Sequence, residues 1–189
     1  RRYRYTLAFP KKLWEPLKAC ILNFKYWHDE PGVDAMCYTT ENHSILFHTC
    51  EILAGQIFPE EVFSNNGQTG QWHREKGERL ALEWLLQRGT TGFTEWDSNC
   101  YFEEDLLALS HLSDLAETVE VRELAAVAMD KMFFTMALNS YKGTFGSTHG
   151  RTYSRLIKGG HLEATSGLTR LAWGMGVWND HIRGIVGLA

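Results

Sequence analysis

Five stretches of this 189-residue chain repeat apolar side chains at three- and four-residue steps, and that period constrains the fold more than any single motif. The first covers residues 11–26, with Leu13, Leu17, Ile21 and Phe24 in register and Pro16 tolerated in its first turn. The second begins at Thr40 or Glu41, with Thr40 as candidate cap, and runs to residue 58. Ile45, Leu46, Cys50, Leu53, Ala54 and Ile57 form its apolar face, and Pro59 stops it. The third covers 72–87, with Leu80, Trp84 and Leu85 inward, Glu75, Glu78 and Arg79 outward, and Gly89 as the stop. The fourth, 102–117, carries Leu106, Leu109, Leu112 and Leu115. The fifth, 121–139, carries Leu124, Ala128, Met132 and Met136. Beyond them a short helix at 154–158, a break at Gly159-Gly160 and a helical piece at 168–177 are expected.

Only a few residues join the fourth and fifth stretches, so those helices lie antiparallel. If all five alternate up and down, the connections after the first, third and fifth emerge at one end. Helix pairs with elaborate loops on one face imply stacked hairpins, as in a solenoid or toroid. The expected fold is all-α, with antiparallel helical hairpins forming part of an (α/α) toroid. Five clear helices make about half of a six-hairpin ring. Residues 1–189 are expected to form one helical domain, with the remainder of a longer chain as a potential partner.

A formal net charge of −4 gives no basic field for nucleic acid or anionic membrane. No apolar run is long enough to span a bilayer, and Arg1-Arg2-Tyr3-Arg4 has no signal-like run behind it. The apolar ending, residues 184–189, reads as an arbitrary stop. The four cysteines form no CxxC pair; free, mostly buried thiols are favoured over one or two bridges. His28, His73, His111, His161 and His181 lack metal-ligand spacing, so no metal or cofactor is expected from motifs. A carboxylate/His site assembled by the fold stays open. Asp34, Glu51 and Glu103 read as solvated or capping residues.

The chemistry-bearing residues fall in three polar segments. Glu41-Asn42-His43-Ser44 opens the second helix. Acids, Asn and Ser are ordinary there, but Asn42 also offers an amide and His43 an imidazole. A helix start disfavours added positive charge, keeping His43 neutral and able to act as a base. His48 lies off that face and reads as structural. The second segment, Gly92 to Tyr101, holds Glu95, Trp96, Asp97, Ser98, Asn99 and Tyr101. Two carboxylates beside an aromatic platform suit glycoside hydrolysis, with Asn99 and Ser98 bonding sugar hydroxyls. The plainer alternative has Asp97 or Ser98 capping the fourth helix and Trp96 plugging the core. In the third segment, His149-Gly150-Arg151-Thr152-Tyr153, Arg151 can clamp a carboxylate or pair with Asp97 or Glu95. Gly143-Thr144-Phe145-Gly146 lacks the Lys-Ser/Thr ending of a phosphate loop.

Asn42-His43-Ser44 at the head of a helix resembles the alginate-lyase type of polysaccharide lyase, whose fold is an incomplete (α/α) toroid. The resemblance implies an Asn that neutralises a uronate carboxylate, a His and a Tyr as base and acid, and a supporting Arg. Asn42 and His43 match the dyad; Tyr101, or Arg151 with Tyr153, are the candidates for the rest. The family's helix with an Arg and a Tyr two turns later has no counterpart, since Glu95, Trp96 and Asp97 precede Tyr101. The expected function is therefore β-elimination on an oligo- or polysaccharide containing uronic acid. Asn42, His43, Tyr101, Arg151 and Tyr153 would be catalytic; Glu95, Trp96, Asp97, Asn99 and His149 would bind substrate. A glycoside hydrolase using Glu95 or Asp97 and a non-catalytic glycan- or protein-binding module are the alternatives.

Overall fold

The apolar periodicity is realised as two long helical hairpins set side by side. The computed structural model describes residues 9–146 and 148–179. They are mostly helical, 59 %, with six α-helices and one two-stranded sheet. In chain order these are α1 (Trp14–Leu22), α2 (Glu41–Ile57), α3 (Gly70–Thr91), α4 (Phe102–Leu115) and α5 (Val119–Leu138). A tight hairpin, β1 (Ser140–Tyr141) and β2 (Thr144–Phe145), and α6 (Thr165–Trp173) follow. Among the described residues no helix is long and apolar enough to cross a membrane.

Helix α2 packs on α3, α4 on α5, α2 on α4, and α3 on α5. Polar bonds at the helix ends give the directions. The Asn42 amide donates to Glu104 at the heads of α2 and α4. At their tails Gln56 Nε2 donates to the Leu115 carbonyl at 3.0 Å. Those two helices are therefore parallel. Arg74 reaches Glu117 at 2.8 Å, and Lys131 Nζ reaches the Arg88 carbonyl at 2.7 Å, so α3 and α5 are parallel as well. The second hairpin thus runs in the same sense as the first. Between them lies one apolar core around Ile45, Ile52, Leu85, Leu106, Leu109 and Met132. Phe102 stacks on Phe145, with centroids 5.8 Å apart, tying the β-hairpin to the head of α4.

Glycines set the close approach of α2 to α3. A Cβ on Gly55 would stand 2.4 Å from the Gly70 carbonyl oxygen and 2.7 Å from the Arg74 nitrogen. Both are backbone atoms, so neither can rotate away. Gly55→Ala is expected to destabilise the chain by about 1–3 kcal/mol or more through overpacking. Urea unfolding at neutral pH measures this, and an unchanged midpoint would show that the helices separate freely.

Several expectations need correction. The first helix is shorter: a 3-10 turn at Lys11–Leu13 leads into α1, which has no buried residue, and Leu13 and Leu17 are exposed. The chain leaves the helix at Asn23, so that Phe24 and Tyr26 join Phe58 and Phe63 in a second apolar cluster. Helix α3 runs through Gly89 and stops at Gly92, whose φ of 86° a glycine adopts without a Cβ clash. Cys20, Cys37 and Cys50 are exposed rather than buried, and all four thiols are free. Glu51 and Glu103 are buried, not solvated. Glu51 is enclosed where Glu30, His73 and Lys76 converge on it, and α4, which carries Glu103, is overlaid by α6. Asp34 is exposed and pairs with Lys25 at 2.7 Å. His48 is buried against Trp27, and burial lowers its pKa to about 4. The short helix near 154 is the 3-10 turn Ser154–Leu156, and the final helical piece begins earlier, at Thr165, and ends at Gly174. The expectation about residues 184–189 lies outside the described residues.

Candidate functional site

Because α2 and α4 are parallel neighbours, their N-termini present unpaired backbone N–H groups side by side, and carboxylates gather there. Glu41 and Asn42 lie in the first turn of α2; Glu104 and Asp105 lie in that of α4. Arg88, from the end of α3, pairs with Glu41 and lies over the Trp84 ring at 5.3 Å. Trp84 Nε1 in turn donates to the Glu41 carbonyl at 3.0 Å. The other Glu41 oxygen accepts the Glu95 N–H at 2.8 Å, hooking the 92–101 loop onto the head of α2. Burial pushes the Glu41 carboxyl above the ordinary range, against the opposing pull of the Glu95 N–H and Arg88. Asp105 is 2 % exposed; burial first, then the charges of Glu41 and Glu104, raise it well above the ordinary range. It is a buried carboxyl with a strong preference for its neutral form.

The same loop is sewn to the segment after α5. Asn99 Nδ2 donates to the Phe145 carbonyl at 2.6 Å, the Gly150 N–H to the Trp96 carbonyl at 3.0 Å, and the Thr165 N–H to the Asn99 carbonyl at 3.3 Å. Ser98 turns the chain into α4: its hydroxyl accepts the Tyr101 N–H at 3.2 Å and its carbonyl the Phe102 N–H at 3.2 Å. Asp97 takes φ 44° within this tight path and is buried. Trp96 is left 61 % exposed, a surface plate rather than a core plug.

Beside it the loops join through side chains. The Tyr101 and Tyr153 hydroxyls are 2.5 Å apart. Arg151 Nη1 donates to the Tyr101 hydroxyl at 3.0 Å, and its guanidinium lies over the Tyr101 ring at 5.2 Å. The bond to Tyr153, then burial, raises the Tyr101 pKa, while Arg151 draws it down. The phenol therefore holds its proton yet has a cation in place for the phenolate that remains once the proton leaves. The phenol bonds and the charge of Glu95 hold Arg151 firmly protonated.

The sequence-predicted residues divide into two groups. Trp96, Tyr101, Arg151 and Tyr153 are exposed or half-buried and line one surface. Glu95 and His149 are half-buried at its edge. Asn42, Asp97 and Asn99 are buried, and Asn42 and Asn99 bond within the protein. His43 is half-buried, with Nδ1 2.5 Å from the Thr40 hydroxyl. Thr40 is the N-cap residue, but its side chain serves His43 rather than the backbone. When Nδ1–H donates to Thr40, Nε2 carries the lone pair and can take a proton. Sequence reasoning misses Arg88, Glu104 and Asp105 and reads Glu41 only as an ordinary first-turn acid. Acids in a first helical turn look ordinary, and nothing local marks Arg88 as their partner. Comparison with protein-family models, curated proteins and solved structures gives no match.

Proposed function

We propose that the chain is a carbohydrate-active enzyme cleaving a uronate-containing glycan by β-elimination, on an incomplete (α/α) toroid with α2 and α4 as inner helices. The toroid reading rests on two adjacent hairpins that run in the same sense, with the heads of α2 and α4 and the elaborate loops at one end. The reaction reading rests on one observation above all, the Arg151–Tyr101–Tyr153 cluster beside the exposed Trp96. Trp96 would carry a sugar face, and Arg151 would receive the uronate carboxylate and the enediolate charge that develops on it. His43 Nε2 would take the C5 proton. The C5–H electron pair then becomes the C4–C5 double bond as the C4–O bond breaks, and Tyr101 gives its proton to the departing oxygen. Asn42, bonded to Glu104, would exchange that carboxylate for the substrate's.

Hydrolysis is the second reading, favoured by the carboxylates gathered at the helix heads: Glu95 and Glu104 are half-buried, and Asp105 is drawn to its neutral form. Incubation with alginate, polygalacturonate and glucuronate-containing glycosaminoglycans separates the readings. Elimination gives products whose C4–C5 double bond, conjugated with the carboxylate, absorbs in the far ultraviolet, and His43→Ala abolishes that absorbance. New reducing ends without absorbance would establish hydrolysis instead, and binding without turnover across the panel would leave a glycan-binding module.

A further inference from the structure

A second polar cluster lies inside the α2–α3 hairpin, away from the helix heads. Glu51 is ten residues along α2 from Glu41, about 15 Å by helical rise. His73 comes from the first turn of α3, and Glu30 from the loop before α2. His73 and Glu51 are fully buried and Glu30 nearly so. One ligand-type atom from each lies within 4.8 Å of the others. His73 Nδ1 is 2.8 Å from Glu51 Oε1 and 3.7 Å from Glu30 Oε1.

The other ring nitrogen sets the orientation. The Gln68 N–H donates to Asn66 Oδ1 at 3.0 Å, which fixes that atom as an acceptor. His73 Nε2 is 3.2 Å from the same oxygen and donates its N–H to it. A neutral ring then aims its Nδ1 lone pair at the two carboxylates. Three acceptor atoms that face one another in a closed space repel unless a proton or a metal cation lies among them. Lys76 meets only part of that need: its Nζ is 2.7 Å from Glu30 Oε1 and 2.7 Å from Asp29, but 3.5 Å from Glu51 Oε1. Glu51 Oε2 is buried without a hydrogen-bond partner.

The geometry points to a divalent metal site, best suited to zinc, formed by Glu30, Glu51 and His73, with the Lys76 ammonium as the competing cation. Tetrahedral zinc with bonds of about 2.0–2.1 Å holds its ligand atoms about 3.3 Å apart, a spacing bracketed by the two distances from His73 Nδ1. A ring whose outer N–H is fixed by an acceptor is the usual arrangement of a metal-bound histidine. A surface cavity of about 330 Å³, lined by Asp29, Trp72, Glu75, Lys76 and Arg79, meets the cluster at Lys76. Lys76 belongs to both the cavity wall and the cluster, and its ammonium already bonds the outer Asp29 at 2.7 Å, a partner it keeps when a metal takes Glu30. The bound ion would clamp the loop before α2 to the α2–α3 hairpin.

The test is zinc titration of the full chain after chelator treatment and dialysis, read by metal content and by thermal unfolding. The wild type is expected to retain one zinc per chain and to gain in Tm. His73→Gln and Glu51→Gln should each weaken binding at least tenfold, whereas Lys76→Met, lacking the competing ammonium, should tighten it at least tenfold. His161→Ala, at an exposed histidine, should change nothing. A wild type that retains no zinc, with its Tm unmoved, overturns the proposal and leaves a proton, shared between His73 and Glu51, in the metal's place. Zinc held equally by His73→Gln and Glu51→Gln overturns it too, by locating the metal elsewhere. Should either ligand variant fail to fold, the wild-type measurement and Lys76→Met still decide.

Discussion

Tyr101→Phe is expected to lower kcat on a uronate polysaccharide by about 10²–10⁴-fold while KM moves little, the range for loss of a positioned proton donor. The phenol is suited to that role by its surroundings rather than by its own acidity. Tyr153, 2.5 Å away, keeps it protonated at rest, and Arg151, 3.0 Å away, steadies the phenolate once the proton has left. Phe keeps the ring under the guanidinium and removes only the oxygen, so unfolding should shift by about 1 kcal/mol or less. A uronate that carries an acidic phenol as an aryl ether on O4 releases it from the breaking C4–O bond without a proton donor. On that substrate the variant should regain most of the wild-type rate. Equal losses on both substrates would mean that Tyr101 positions the loops and does not donate the proton. Tyr153→Phe should cost less, since Arg151 still faces Tyr101 in its absence.

How far these residues could be read from the sequence depended on whether their role was local. The periods around Ile45, Leu106 and Met132 directed those side chains inward, and they form the core. Trp96, Tyr101, Arg151 and Tyr153 stood out because aromatic and cationic side chains in glycine-rich loops have few structural reasons to be there. Buried charges were illegible for the opposite reason. Glu51 sits in a helical pattern where a solvated acid is the ordinary reading, and only the fold brings Glu30, His73 and Lys76 against it. Asn99 reads as a sugar-binding amide but bonds the Phe145 carbonyl, a partner 46 residues away. The limit of α1 escaped notice because Phe24 satisfies the helical period while serving another cluster.

Arg88→Met should be the most damaging substitution for stability, about 3–5 kcal/mol at pH 7.5, the usual cost of stranding a buried charge. Arg88 is the cation at the helix heads: it pairs with Glu41 and draws down the carboxyls of both Glu41 and Asp105. Both folded carboxyls already lie above their ordinary values, and removal of the guanidinium lifts them further. For a carboxyl raised in the fold, the stabilising form is the protonated one. Its contribution is complete below the unfolded pKa, about 4, and is lost as pH rises through the folded value. The deficit of the variant relative to wild type should therefore be small near pH 4.5 and widen towards pH 7.5. Each extra proton held by the variant's folded state contributes a slope of about 1.4 kcal/mol per pH unit at most. Urea unfolding of both proteins at several pH values measures that difference directly. Asp105→Asn in the variant background should recover part of the loss at pH 7.5, since an amide needs no compensating charge. A deficit that stays constant from pH 4.5 to 7.5 would mean that Arg88 acts by packing over Trp84, and the charge assignment at the helix heads would fall with it.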